Sequence, residues 1–307
     1  MKKFLKNLLV FFSILIIVIV TCTIAVKYNS NFKIDRTKSI VVLGHSHSEC
    51  AFNDQIIKNL KNLSRSGESY FYNFYKLREV LAQNPHIETV FIEYSNLDFI
   101  EAESSWIWGE EKMSEYFPQY SLFMDSNAHG LLYHNNPEVY KNSILPVFKN
   151  AFHTVSEGMD YRDKIGGYHL LNQTMKSTDT STQESKELLS IHELEIAEEN
   201  LFYLRKIIAL SRSHRVGIYL VRSPLHPTYA GYRLEKFFKE TRKEHFSDVK
   251  FLDFSRFPLT NVDFADPEHL NHTGAEKFSK VIQELLNDQL LEAASPQKII
   301  DLRLNKI

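Results

Sequence analysis

The chain has 307 residues, 43% hydrophobic and 24% charged, with a formal net charge of −2. Length allows one large domain or two small ones, the composition is that of an ordinary globular protein, and so balanced a charge offers no field for nucleic acid. The two cysteines, Cys22 and Cys50, imply no disulfide framework, because Cys22 sits in a membrane-type segment.

Lys2, Lys3 and Lys6 precede an uncharged apolar run from Leu8 to Val26, and Lys27 closes it. Such a run is long enough to cross a bilayer and longer than a usual signal-peptide core. Lysines on the short side predict that the N-terminus stays in the cytoplasm. Residues 1–27 therefore read as a cytoplasmic stub and transmembrane anchor, with the rest of the chain on the outer side of the inner membrane. A cleaved signal peptide is the alternative, but no small-x-small cleavage site is obvious. Thr21 stands before Cys22 where a lipid-anchor signal would have a small residue.

Residues 28–37 read as a polar tether. Strands and helices then alternate. Ile40–Leu43 is a short apolar strand. Asn53 is placed to cap a helix reaching about Leu63, with Ile56, Ile57, Leu60 and Leu63 on one side. The 4-3-4 spacing of Tyr70, Phe74, Leu77 and Leu81 predicts a helix over 70–81, ended by Pro85. Thr89–Tyr94 is the next strand. Residues 100–185 break the rhythm with Trp106, Trp108 and many Tyr and Phe, and read as a helical insertion, either a lid or substrate platform or a plain packing excursion. A long helix is expected from about Glu187 to His214, with the stripe Leu194, Ala197, Leu201, Leu204 and Ile208. Strands follow at Val216–Val221 and Val249–Leu252. The last helix begins at Thr273, where Thr273 and Glu276 fit a capping box, and it buries Phe278, Ile282, Leu285 and Leu286. Residues 291–307 read as a tail.

Apolar strands between amphipathic helices predict a three-layer α/β/α sandwich around a parallel sheet, with the N-terminal transmembrane helix and the helical insertion added to it. Ligands of such sheets bind beyond the carboxyl ends of the strands. Ser46, Asn96 and Arg222 each fall just after an expected strand.

Two segments carry chemistry. Gly44-His45-Ser46-His47-Ser48 follows the first strand, and Asp266-Pro267-Glu268-His269 precedes the last helix. Together they hold the parts of a Ser-His-Asp nucleophilic site, recognised by roles and not by order along the chain. Ser48 is a rival hydroxyl, further from the strand end. Asp266 could instead serve only an Asx-turn before Pro267. A different class would use His45 and His47 with Asp266, His269 and His272 as zinc donors. A third reading is a non-catalytic partner protein.

This pattern resembles the SGNH (GDSL-like) hydrolase superfamily over most of residues 38–290. The resemblance implies an SGNH/flavodoxin-like fold. It implies Ser46 as nucleophile, with His45 where the family has aspartate, and Asp266 and His269 as its partners. It also implies an oxyanion hole from the amides of Ser46 and Gly67 and the side chain of Asn96. Apart from the resemblance, His45, Arg222, Trp106 and Trp108 are candidate substrate contacts; the alternatives are a solvated surface arginine at Arg222, and helix packing or a membrane-facing loop for the two tryptophans. No cofactor or metal is required. The chain is similar to a membrane-anchored, extracytoplasmic branch linked to alginate acetylation and teichoic-acid D-alanylation. That implies an acylated envelope glycan or other ester as substrate, a membrane-bound acyltransferase as partner, and esterase or O-acyltransferase chemistry.

Overall fold

The computed structural model describes residues 2–157, 165–176 and 195–306. In chain order the helices are α1 (Lys2–Asn29), α2 (Ser46–Ala51), α3 (Tyr70–Gln83), α4 (Ser105–Trp108), α5 (Glu110–Tyr120), α6 (Ser126–Asn135), α7 (Pro137–Glu157), α8 (Glu198–Ser213), α9 (Glu235–His245), α10 (His272–Asn287) and α11 (Pro296–Leu304). The strands are β1 (Ile40–Leu43), β2 (Leu60–Asn62), β3 (Thr89–Glu93), β4 (Gly217–Arg222) and β5 (Lys250–Asp253). They form one parallel sheet in the order β2-β1-β3-β4-β5.

The chain divides into two compact units, Lys33–Ile107 with Ile165–Ile307, and Met1–Phe32 with Trp108–Lys164. The first unit contains the sheet, with helices on both sides. Ile40, Val42, Phe91, Tyr219, Val221 and Leu252 face a core built with Phe278, Ile282 and Leu285 of α10 and Ile300 of α11. The alternate residues Val41, Leu43, Val90, Ile92 and Leu220 are also fully buried. Burial on both faces explains why these strands read as continuous apolar runs rather than alternating ones. The second unit contains α1 and the helices α5 to α7. In it α7 packs on α1, α5 and α6, and His129 joins two helices through Tyr140 Oη and the Ser121 carbonyl, each at 2.9 Å.

Several expectations are met closely. The helix at 70–81 is α3, the strands differ by a residue or so, and the insertion after β3 is helical over most of 101–157, is not helical over 165–176, and lies outside the described residues at 158–164 and 177–185. Three differ. The expected helix at 53–63 is instead a turn and the edge strand β2. Asn53 Oδ1 accepts from the Gln55 amide, closing an Asx-type turn that sends the chain into pairing with β1. The long helix begins at Glu198, because Ile196 forms a bridge with Ile100 before it; residues 187–194 lie outside the described residues. The last helix is capped by Asn271, whose side chain accepts from the Thr273 and Gly274 amides. Glu276 pairs instead with Lys280. Within residues 291–307, read as a tail, α11 is an ordered helix.

Candidate active site

The order β2-β1-β3-β4-β5 places a topological switch point between β1 and β3, the crevice where such sheets bind ligands. The chain leaves β1 through Gly44, whose φ of +149° few other residues adopt. A Cβ there would lie 2.4 Å from Glu93 Cβ and 2.7 Å from Ser48 Oγ. This sharp turn presents Ser46 as the first residue of α2, at the carboxyl edge of the sheet.

The partner segment is held from behind. Ala265 donates to the His269 carbonyl at 2.8 Å, and Phe264 bridges Leu270. Asn271 Nδ2 donates to the carbonyls of Val262 and Phe264, so the residue that caps α10 also fixes the loop. Asp266 Oδ1 accepts from the Glu268 and His269 amides at 2.8 and 3.0 Å. His269 Nδ1 lies 2.9 Å from both Asp266 oxygens, and its Nε2 lies 2.7 Å from Ser46 Oγ. Asp266 thus serves the turn and the imidazole together. Although burial raises its pKa, hydrogen bonding to His269 and to the Glu268 amide brings it below the usual carboxylate range, so it stays ionised at neutral pH.

Ser48, the rival hydroxyl, is fully buried and donates to Ser64 Oγ at 2.8 Å, which takes it out of contention. Asn62, also buried, donates to the carbonyls of Ser48 and Phe52 and accepts from the Ser64 amide. It ties α2 to the loop that carries Gly67. That loop is fixed again by Lys76, which donates to the Leu63 carbonyl at 2.6 Å and pairs with Glu68, both side chains fully buried. Gly67 has φ +69°, and this backbone region favours glycine.

Two expected site residues have other occupations. Asn96 Nδ2 donates to Glu235 at 2.9 Å, and its Oδ1 accepts from Arg222 at 3.3 Å. The side chain expected in the oxyanion hole is therefore part of an ion network. Arg222, read as a solvated surface arginine or a substrate contact, is neither: it is 3% exposed. It binds Asp253 through Nε and Nη2, pairs with Glu235, and lies over the Phe238 ring at 4.4 Å. Its donors are satisfied inside the protein, and it joins the ends of β4 and β5 to α9.

His45 is buried. Its Nδ1 accepts from the His47 amide at 3.4 Å, and its Nε2 faces Asp98 at 3.3 Å. Burial opposes its charge, but the Asp98 contact outweighs this and raises its pKa. Trp106 packs edge-on against it, ring centroids 5.5 Å apart. Trp108 belongs to the other unit, where its carbonyl accepts from Asn136. The donors proposed for zinc are not gathered as a set: Asp266 holds His269, and His45 faces Asp98. Among the described residues, the group whose donor atoms do converge is His47, Glu268 and His269. Glu93 is a site neighbour that sequence reading passed over. Fully buried at the end of β3, it accepts from the amide and hydroxyl of Ser223, and burial pushes its pKa up to about 7.

The fold and this constellation define an α/β protein with a Ser-His-Asp relay at the switch point of a flavodoxin-order sheet. A family model that carries no functional description matches residues 176–291. No curated protein matches the chain. Among solved structures, the chain is similar to one described as an acylhydrolase from Bacteroides fragilis, at 10% identity and a TM-score of 0.38, covering 81% of this chain and 86% of that one. It is also similar to a GDSL-like lipase from Bacteroides thetaiotaomicron, at 7% identity and a TM-score of 0.38, covering 84% and 91%.

Proposed function

We propose that this chain is an SGNH (GDSL-like) serine hydrolase that cleaves acyl esters, with an acylated cell-envelope glycan as its substrate. The observation that carries the reading is the unbroken relay from Asp266 through His269 to Ser46. A serine hydroxyl is a poor nucleophile until a base within hydrogen-bond reach takes its proton. His269 Nε2 is so placed. As Ser46 Oγ attacks the ester carbonyl, the proton passes to Nε2, and the ionised Asp266 stabilises the imidazolium through Nδ1–H. The amides of Ser46 and Gly67 are the proposed donors to the tetrahedral oxyanion, each such donor contributing on the order of 3 kcal/mol. Collapse returns the proton to the departing alkoxide and leaves an acyl-serine. Water then releases the acid; a sugar hydroxyl in its place makes the same site an O-acyltransferase.

The helix α1 is long and apolar enough to span a bilayer. We place it in the inner membrane as a single-pass anchor, with Lys2, Lys3 and Lys6 on the cytoplasmic side. Within its own unit, α7 packs against α1 while exposing Leu145, Phe148, Phe152 and Val155 in one helical stripe. An exposed stripe of that kind next to a spanning helix suits the lipid boundary.

A fluorophosphonate probe with p-nitrophenyl acetate as donor tests the reading. Probe on Ser46 and release of acetate are expected, both lost in Ser46→Ala while the thermal transition is kept. A Ser46→Ala protein that still hydrolyses the ester overturns the assignment. Acetylated glycan in place of free acetate would identify the transferase direction.

A further inference from the structure

His47 and Glu268 flank the relay without belonging to it. His47 follows the nucleophile directly, and its ring packs edge-on to that of His269, centroids 5.6 Å apart. Its Nε2 lies 3.8 Å from Glu268 Oε2. Only 5% of His47 is exposed, and its Nδ1 meets no hydrogen-bond partner among the described residues. One donor atom from each of His47, Glu268 and His269 lies within 4.8 Å of the others. Since His269 Nδ1 is held by Asp266, the donor that His269 can offer is Nε2, the atom that bonds Ser46.

We propose that His47, Glu268 and His269 form a reversible inhibitory site for a borderline divalent cation, of which Zn2+ is the type. Two imidazoles and a carboxylate are the donor set zinc prefers, with a fourth position left for water. Asp266 behind His269 is the carboxylate that commonly supports a metal-bound imidazole. Coordination takes the Nε2 lone pair of His269. The Ser46 hydroxyl then keeps its proton, and the nucleophile is silenced until the metal leaves. The consequence for activity rests on the reading of Ser46 and His269 as the catalytic pair; the metal site itself does not.

The test uses the full chain in detergent micelles, with two readouts. Co2+ is titrated while its visible d–d absorption is followed, and Zn2+ is titrated against p-nitrophenyl acetate hydrolysis and fluorophosphonate labelling, with EDTA added back. One Co2+ per chain and inhibition by Zn2+ that EDTA reverses are expected. His47→Gln and the more exposed Glu268→Gln should keep metal-free activity and each weaken both effects by about tenfold or more. Inhibition that is equal in both variants and wild type overturns the site, as does an active enzyme with no Co2+ signal and no response to Zn2+. A Co2+ signal lost in both variants, in a protein with no esterase activity, upholds the metal site and overturns the catalytic reading instead.

Discussion

Ser46 and His269 are 223 positions apart in the chain, yet their side chains meet at 2.7 Å between Oγ and Nε2. The meeting is built by two local devices: the glycine turn that ends β1, and the loop that Asn271 ties to the start of α10. Neither side chain has to be held by the other, so each can be changed without dismantling the fold.

Asp266→Asn separates orientation from charge. An amide oxygen can still accept from the Glu268 and His269 amides, so the turn should persist. The amide nitrogen cannot accept from His269 Nδ1–H, and the ring loses the tautomer that presents a basic Nε2 to Ser46. Esterase kcat should fall by about 10^4-fold, with an unfolding midpoint close to wild type. Activity within tenfold of wild type would show that Asp266 serves only the turn.

Much of this site was legible in the residues because its parts lie in short local motifs. Gly44-His45-Ser46 after a strand and Asp266-x-x-His269 before a helix carry their chemistry in spacing alone. The edge strand β2 was not legible: three residues are too few to show alternation, and Ile57, Leu60 and Leu63 mimic a helical face. Helix α9 buries only Phe238 and Thr241, too little to mark an apolar stripe. The fate of Asn96 and Arg222 was hidden for another reason. Asn96 does follow a strand and Arg222 ends one, but their partners Glu235 and Asp253 come from elements that only the folded sheet brings beside them.

Arg222→Ala tests that reassignment. It removes the cation from between Glu235 and Asp253 and leaves Asn96 and both carboxylates short of a partner. Stability should fall on the order of 3 kcal/mol, seen as a lower urea midpoint. KM for a neutral ester should stay within about twofold of wild type, since the guanidinium is buried. A raised KM with unchanged stability would return Arg222 to the substrate.

Lys76→Met tests the loop that carries Gly67. Glu68 would lose its cation and the Leu63 carbonyl its donor, all inside the protein. Breaking a buried pair from one side costs about 3–5 kcal/mol. Lys76→Met with Glu68→Gln should recover part of that loss, because no charge is then stranded. If the single and double variants unfold at the same urea concentration, the pair is not what fixes the loop.

Glu93 makes stability depend on pH in a direction opposite to that of a salt-bridged carboxylate. Its folded pKa of about 7 lies above the ordinary value of 4.5. Between those values the native state holds a proton that the unfolded chain has lost, so stability falls as pH rises through this window and levels off above it. The loss is on the order of 3 kcal/mol across the window. Glu93→Gln imitates the protonated side chain: its oxygen can accept from the Ser223 amide while its nitrogen donates to the Ser223 hydroxyl. The variant should match wild type near pH 5 and surpass it by pH 8, measured by thermal unfolding at each pH. A difference between the two proteins that does not change with pH would mean that Glu93 does not titrate in this range.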